Sequence, residues 1–118
     1  MSMKFALISI WAEDVSANAH FYRDVLGLDL LPHHGSRPHF KVEGIYLTIL
    51  KGNPAPAQNA DPDRFPLFAL SVDNLDDMLK RLAKHHIALP WGIESNAGER
   101  WVMFHDPAGN LIELVQFS

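Results

Sequence analysis

A chain of 118 residues holds one domain, because two independent cores would leave about 60 residues each, the size at which a fold is only marginally stable. An apolar share of 47% beside a charged share of 20% excludes a disordered chain. The net charge of −4 argues against a nucleic-acid backbone or an anionic membrane as the main partner, and the absence of cysteine excludes disulfides, thiol nucleophiles and Cys-ligated metals.

The elements follow in chain order. Phe5–Ala12 is mostly apolar but only eight residues long, and it runs into Glu13 and Asp14. It reads as a buried strand centred on Leu7–Trp11, not as a signal peptide, and no apolar run approaches the roughly 20 residues of a membrane span. A cytoplasmic protein is the expectation. Asp14 offers a side-chain oxygen to the first amides of a helix. Val15, Ala19, Tyr22 and Leu26 then recur at helical spacing, and Gly27 stands where a helix ends. Leu28–Leu31 is predicted as a short strand. His39–Val42 and Ile45–Leu50 are predicted as a hairpin turning at Glu43-Gly44.

The second half repeats that order. Leu67–Val72 reads as a strand, Asp73 as a helix cap, and Leu75, Met78, Leu79 and Leu82 as the buried stripe of a helix. Trp91–Ile93 follows as a short strand. Arg100–His105 and Leu111–Phe117 then pair across Asp106-Pro107-Ala108-Gly109-Asn110, a turn sequence by its Pro and Gly. Asp14 matches Asp73 and Gly44 matches Gly109, so each half is a βαβββ unit. Neither unit buries enough surface alone, and the two are expected to share one sheet system. Module one spans 1–51, a linker 52–65 and module two 66–118; Gly52–Pro66 carries four of the eight prolines.

Asp14–Leu28, with its Ala19-His20-Phe21-Tyr22-Arg23-Asp24-Val25-Leu26-Gly27 core, resembles the opening helix signature of the vicinal oxygen chelate superfamily. That superfamily includes glyoxalase I, bleomycin-resistance proteins and extradiol dioxygenases. Phe104–Leu114 is similar to its closing hairpin. The resemblance covers essentially the whole chain. It implies an α+β fold in which two βαβββ modules form a cupped mixed sheet, with helices on the convex side and a ligand site on the concave side. It also implies a homodimer.

Strand alternation sorts the candidate site residues. Ser9 and Trp11 share one face of the first strand, Tyr46 and Thr48 one face of the last strand of module one. His39 lies on the strand between. Trp101, Met103 and His105 share one face in module two, and Glu113 one face of the closing strand. Ser, Thr, His, Tyr, Trp and Glu among apolar residues suit a small-molecule pocket. Trp11 and Trp101 are either ligand-stacking walls or core packing; Phe21, Tyr22 and Phe104 are expected in the core.

Metal-using members of the superfamily place His, Glu or Gln at four pseudo-symmetric strand positions. By the resemblance these fall on Leu7, Thr48, Leu67 and Glu113, of which only Glu113 is a suitable donor. The expectation is no metal and no cofactor. A set built from His39, His105 and Glu113 is the alternative among the seven histidines. His20, His33-His34 and His85-His86 read as helix or loop surface. Glu113 is either a general base with a raised pKa or a binding group held by Lys41, Arg100 or a hydroxyl.

The function expected is metal-independent binding of a planar or amphipathic small molecule, sequestering a drug or metabolite. The contacts would be Ser9, Trp11, His39, Tyr46, Thr48, Trp101, His105 and Glu113. The alternatives are a lyase or isomerase like lactoylglutathione lyase, or a ring-cleaving dioxygenase, using a divalent metal; and an interaction module with a decayed pocket.

Overall fold

The computed structural model describes residues 2–33, 37–54, 63 and 66–118. Most of the predicted linker 52–65, and His34, lie outside the described residues. The chain divides into two compact units, Met1–Pro54 and Ala55–Ser118.

In the first unit β1 (Leu7–Ala12) leads into α1 (Val15–His20), and β2 (His39–Val42) and β3 (Ile45–Lys51) form the hairpin. The sheet order is β1-β3-β2, with β1 parallel and β2 antiparallel to β3. Asp14 caps α1 as expected, its carboxylate accepting from the Ala17 amide at 3.0 Å. The helix does not run straight to Leu26, however. Phe21–Val25 winds as a π-helical stretch, and the Leu26 amide reaches back to the Phe21 carbonyl at 3.2 Å. Ala19, Tyr22 and Leu26 are all buried, with Tyr22 against Phe40 (ring centroids 6.0 Å apart). Glu43 and Gly44 both take positive φ, 50° and 88°, the geometry of a two-residue hairpin turn whose twist matches the strands. Leu28–Leu31 is not a strand: only Leu30 bridges, to Phe40. Pro32 ends the segment before a ladder can grow.

The second unit holds β4 (Phe68–Ser71), α2 (Leu75–Lys84), β5 (Glu94–Ser95), β6 (Glu99–His105) and β7 (Leu111–Phe117), ordered β4-β7-β6-β5. Among the described residues each unit is an α/β layer of mixed strands, and together they give the α+β class. The α2 cap is Asn74, not Asp73: the Asn74 side chain accepts from the Asp77 amide at 3.0 Å. Asn and Asp cap equally well, so adjacent candidates are separated only by backbone path. The short strand lies at Glu94–Ser95 instead of Trp91–Ile93, because the chain turns at Pro90-Trp91 first. Gln116 of β7 accepts from the Leu75 amide at 2.6 Å and joins the start of α2 to the sheet.

Each sheet has one apolar face. Ile10, Ala12, Phe40, Leu47 and Ile49 are buried in the first, and Val102, Phe104, Ile112 and Leu114 in the second. These rows lie under the helices of their own unit, and the opposite rows carry the mixed residues. No helix among the described residues is long and apolar enough to cross a membrane.

Candidate functional site

On the mixed face of the first sheet, Ser9 pairs with Thr48 across β1–β3, and His39 pairs with Thr48 from the other side. The Ser9 and Thr48 hydroxyls are hydrogen-bonded at 2.9 Å, and Thr48 is only 7% exposed. His39 is oriented by its Nδ1 at 3.0 Å from the Arg37 carbonyl, with its ring edge-on to Tyr46, centroids 6.1 Å apart. Trp11 is 51% exposed, so it is not core packing, and its benzo ring lies against the backbone of Gly52. All five expected residues of this module are thus on one face. Leu7, at 48% exposure, offers that face hydrocarbon.

The mixed face of the second sheet carries Trp101, Met103 and His105 of β6 and Glu113 of β7, with Met103 directly opposite Glu113. Trp91 covers the His105 ring at 5.6 Å between centroids. Alternation extends this face back to Glu99, and pairing brings Glu94 beside Trp101. Glu94 and Glu99 were not anticipated. Alternation two residues back from Trp101 reaches Glu99, whereas Glu94 carries no such signal because its strand begins three residues after the predicted one. Burial, then the charges of Glu99 and Glu94, raise the Glu113 pKa above the ordinary carboxylate value. Burial lowers the His105 pKa, partly offset by the charge of Asp106, which favours the neutral imidazole. Glu94 Oε1 and His105 Nε2 are both buried with no hydrogen-bond partner among the described residues. Among the described residues of this face there is no Lys or Arg.

One expectation is corrected. Arg100 does not hold Glu113. It lies one position off along β6, so its side chain takes the opposite face and pairs with Asp76 of α2 at 2.8 Å.

Of the four strand positions that the resemblance assigns to metal ligands, only Glu113 carries a side chain of a ligand type. Among the described residues no three His, Asp or Glu side chains are grouped to hold a metal ion. Leu7 and Leu67 supply no donor atom, and the Thr48 hydroxyl is engaged by Ser9.

Two modules of this order, joined to the opening-helix and closing-hairpin signatures, define a glyoxalase-type scaffold. The chain belongs to the glyoxalase/bleomycin resistance protein/dioxygenase superfamily, whose profile matches residues 4–114. Among solved structures it is similar to a glyoxalase/dioxygenase from Nostoc punctiforme (25% identity, TM-score 0.83, covering 98% of this chain and 91% of that one). It is also similar to a lactoylglutathione lyase from Agrobacterium tumefaciens (25%, TM-score 0.73, 98% and 95%). A third likeness is to TnmS3, an antibiotic binding protein from Streptomyces sp. CB03234 (26%, TM-score 0.75, 100% and 99%). Comparison with curated proteins gave no match.

Proposed function

We propose that the protein binds a small planar or amphipathic molecule without a metal, and that the bound molecule carries a cationic or hydrogen-bond-donating group. The observation that carries this reading is the face shared by Glu94, Glu99 and Glu113. Three carboxylates stand there among Trp91, Trp101 and Met103, with no Lys or Arg among the described residues of this face. A ligand cation would relieve their mutual repulsion and supply a partner for Glu94 Oε1, and aromatic rings add attraction for a flat cation. Ser9, Trp11, His39, Tyr46 and Thr48 give the first module a hydroxyl-rich, aromatic face of its own, suited to stacking a flat molecule. The likeness to an antibiotic binding protein supports sequestration of a drug or metabolite. A cytoplasmic homodimer belongs to the same reading, the dimer resting on the resemblance; light scattering and cell fractionation test it.

The experiment is a fluorescence titration with proflavine, a planar cation, and with anthraquinone-2-sulfonate, a planar anion. The cation should bind wild type and bind Glu113→Gln more weakly, while the anion binds neither. Preference for the anion would overturn the reading.

A second reading is favoured by the raised proton affinity of Glu113: metal-free proton abstraction from an acidic C–H, with Glu113 as base. A Glu113→Gln variant that retains turnover of such a substrate would remove it.

A further inference from the structure

Gly52 occupies a position at which the backbone requires no glycine. Unlike Gly44, it has no positive φ, so any residue could adopt its conformation. It follows β3, and its amide donates to the Ala12 carbonyl at 3.0 Å, which prolongs the β1–β3 ladder by one rung. Alternation along Tyr46, Thr48 and Leu50 makes residue 52 the next position on the mixed face. What excludes a side chain there is Trp11. A Cβ on Gly52 would stand 2.6 Å from Trp11 Cε3 and 3.4 Å from both Cδ2 and Cζ3, all atoms of the benzo ring. The ring therefore lies over the bare Cα, in the space a side chain would fill, while the residue stays half exposed. Lys51 adds a second tie at this end of the sheet, its ammonium donating to the Glu13 carbonyl at 2.8 Å.

We propose that Gly52 is a positioning residue for ligand binding: its missing side chain is the seat that holds the Trp11 ring as a wall of the mixed face of the first sheet. The purpose of the wall rests on the small-molecule reading above; the seat rests on the geometry of Gly52 and Trp11 alone. Any side chain at residue 52 displaces the ring, because the indole is the softer partner in the clash. A displaced ring loses its orientation toward a flat ligand even though every other contact residue is unchanged.

Two measurements test this on the full chain. Proflavine titrations compare wild type, Gly52→Ala, Trp11→Ala and the double variant. Iodide quenching of Trp11 emission, with and without Gly52→Ala, is read in a Trp91→Phe/Trp101→Phe background used for that optical signal only. Proflavine affinity should fall about tenfold in each single variant, and Gly52→Ala should cost nothing further once Trp11 is Ala. Iodide quenching should rise when Gly52 is replaced. A Gly52→Ala loss that persists in the Trp11→Ala background, or unchanged affinity where wild type binds, would overturn the proposal. If wild type does not bind proflavine, the ligand reading fails by itself, and quenching decides the seat: an unchanged quenching constant overturns it. If Gly52→Ala alone does not fold, rescue by Trp11→Ala supports the seat and failure of rescue overturns it.

Discussion

Thr48 and Glu113 stand on the same rung of their respective sheets. Each is paired, in a parallel strand, with the residue two positions after a leucine: Ser9 after Leu7 for Thr48, and Ala69 after Leu67 for Glu113. Each is flanked on its other side by an antiparallel strand, through His39 and Met103. The pairing registers thus reproduce the duplication that Gly44 and Gly109 mark in the sequence. They also show how the two copies have diverged: the same rung holds a buried hydroxyl pair in one module and a carboxylate with raised proton affinity in the other.

The hydroxyl pair gives the first prediction. Thr48 is nearly buried, and its Oγ1 is hydrogen-bonded to the Ser9 hydroxyl. Ser9→Ala removes that partner and should cost about 1–2 kcal/mol, the price of a buried unsatisfied hydroxyl. Ser9→Ala with Thr48→Val removes both polar groups and should recover most of the loss. Urea unfolding of wild type, Ser9→Ala and the double variant checks this; a double variant as unstable as Ser9→Ala alone would show that the pair is not the source.

Asp106 should be the least replaceable turn residue. It is 2% exposed, and its Oδ1 accepts from the Ala108 and Asn110 amides at 3.0 and 2.9 Å while Oδ2 accepts from the Asn110 side chain at 2.9 Å. Asp106→Ala leaves those donors without their acceptor and should destabilise by about 2–3 kcal/mol. The hairpin it closes carries His105 and Glu113, so ligand binding should weaken with it. Thermal unfolding within 1 kcal/mol of wild type, by an order-of-magnitude conversion of the Tm shift, would contradict this.

How much of this was legible in the sequence depended on the range of the forces involved. The hairpin turn at Glu43-Gly44, the Asp14 cap and the Asp106–Asn110 turn are local chemistry, and all three are found where the residues place them. The two buried faces follow from alternation. What escaped was decided by distant parts of the chain. No spacing rule announces the π-helical stretch after His20, because Ala19 and Leu26, seven residues apart, share a face in a regular α-helix as well. Asp73 and Asn74 are equally good caps until the path of the strand before them is known. The seat of Trp11 on Gly52 joins residues 41 positions apart, and nothing in Lys51-Gly52-Asn53 distinguishes that glycine from a loop residue.

The end of α2 carries a conformational cost that can be removed. The Ile87 amide donates to the Leu82 carbonyl and the His86 amide to the Ala83 carbonyl, both at 3.0 Å, which closes the helix on a residue in left-handed geometry. That residue is His86, at φ 59°, where the equivalent residue after the first helix is Gly27, at φ 77°. His86→Gly relieves the Cβ crowding and should stabilise the protein by about 0.5–1 kcal/mol, net of the extra chain entropy of glycine. Chemical denaturation reads it directly, and a loss of stability would contradict it.

Glu113 makes both stability and binding depend on pH, in opposite senses. Its folded pKa is raised, by burial first and then by Glu99 and Glu94. The stability it contributes is therefore fully present below the ordinary carboxylate pKa and is lost as pH rises through the folded value. At pH 7 the ionised group opposes folding, so Glu113→Gln should raise Tm there, with the difference closing below about pH 4. Proflavine binding should behave in reverse, strengthening as Glu113 ionises, and the Gln variant should lose that rise. His105 is the group whose titration competes with this signal. Its folded pKa is lowered, so the stability it contributes is present above the ordinary imidazole value near 6.5 and is lost as pH falls from there toward the folded pKa. Tm and proflavine affinity measured from pH 4 to 8 in wild type, Glu113→Gln and His105→Asn separate the two. A wild-type affinity profile that survives unchanged in Glu113→Gln would assign the pH dependence elsewhere.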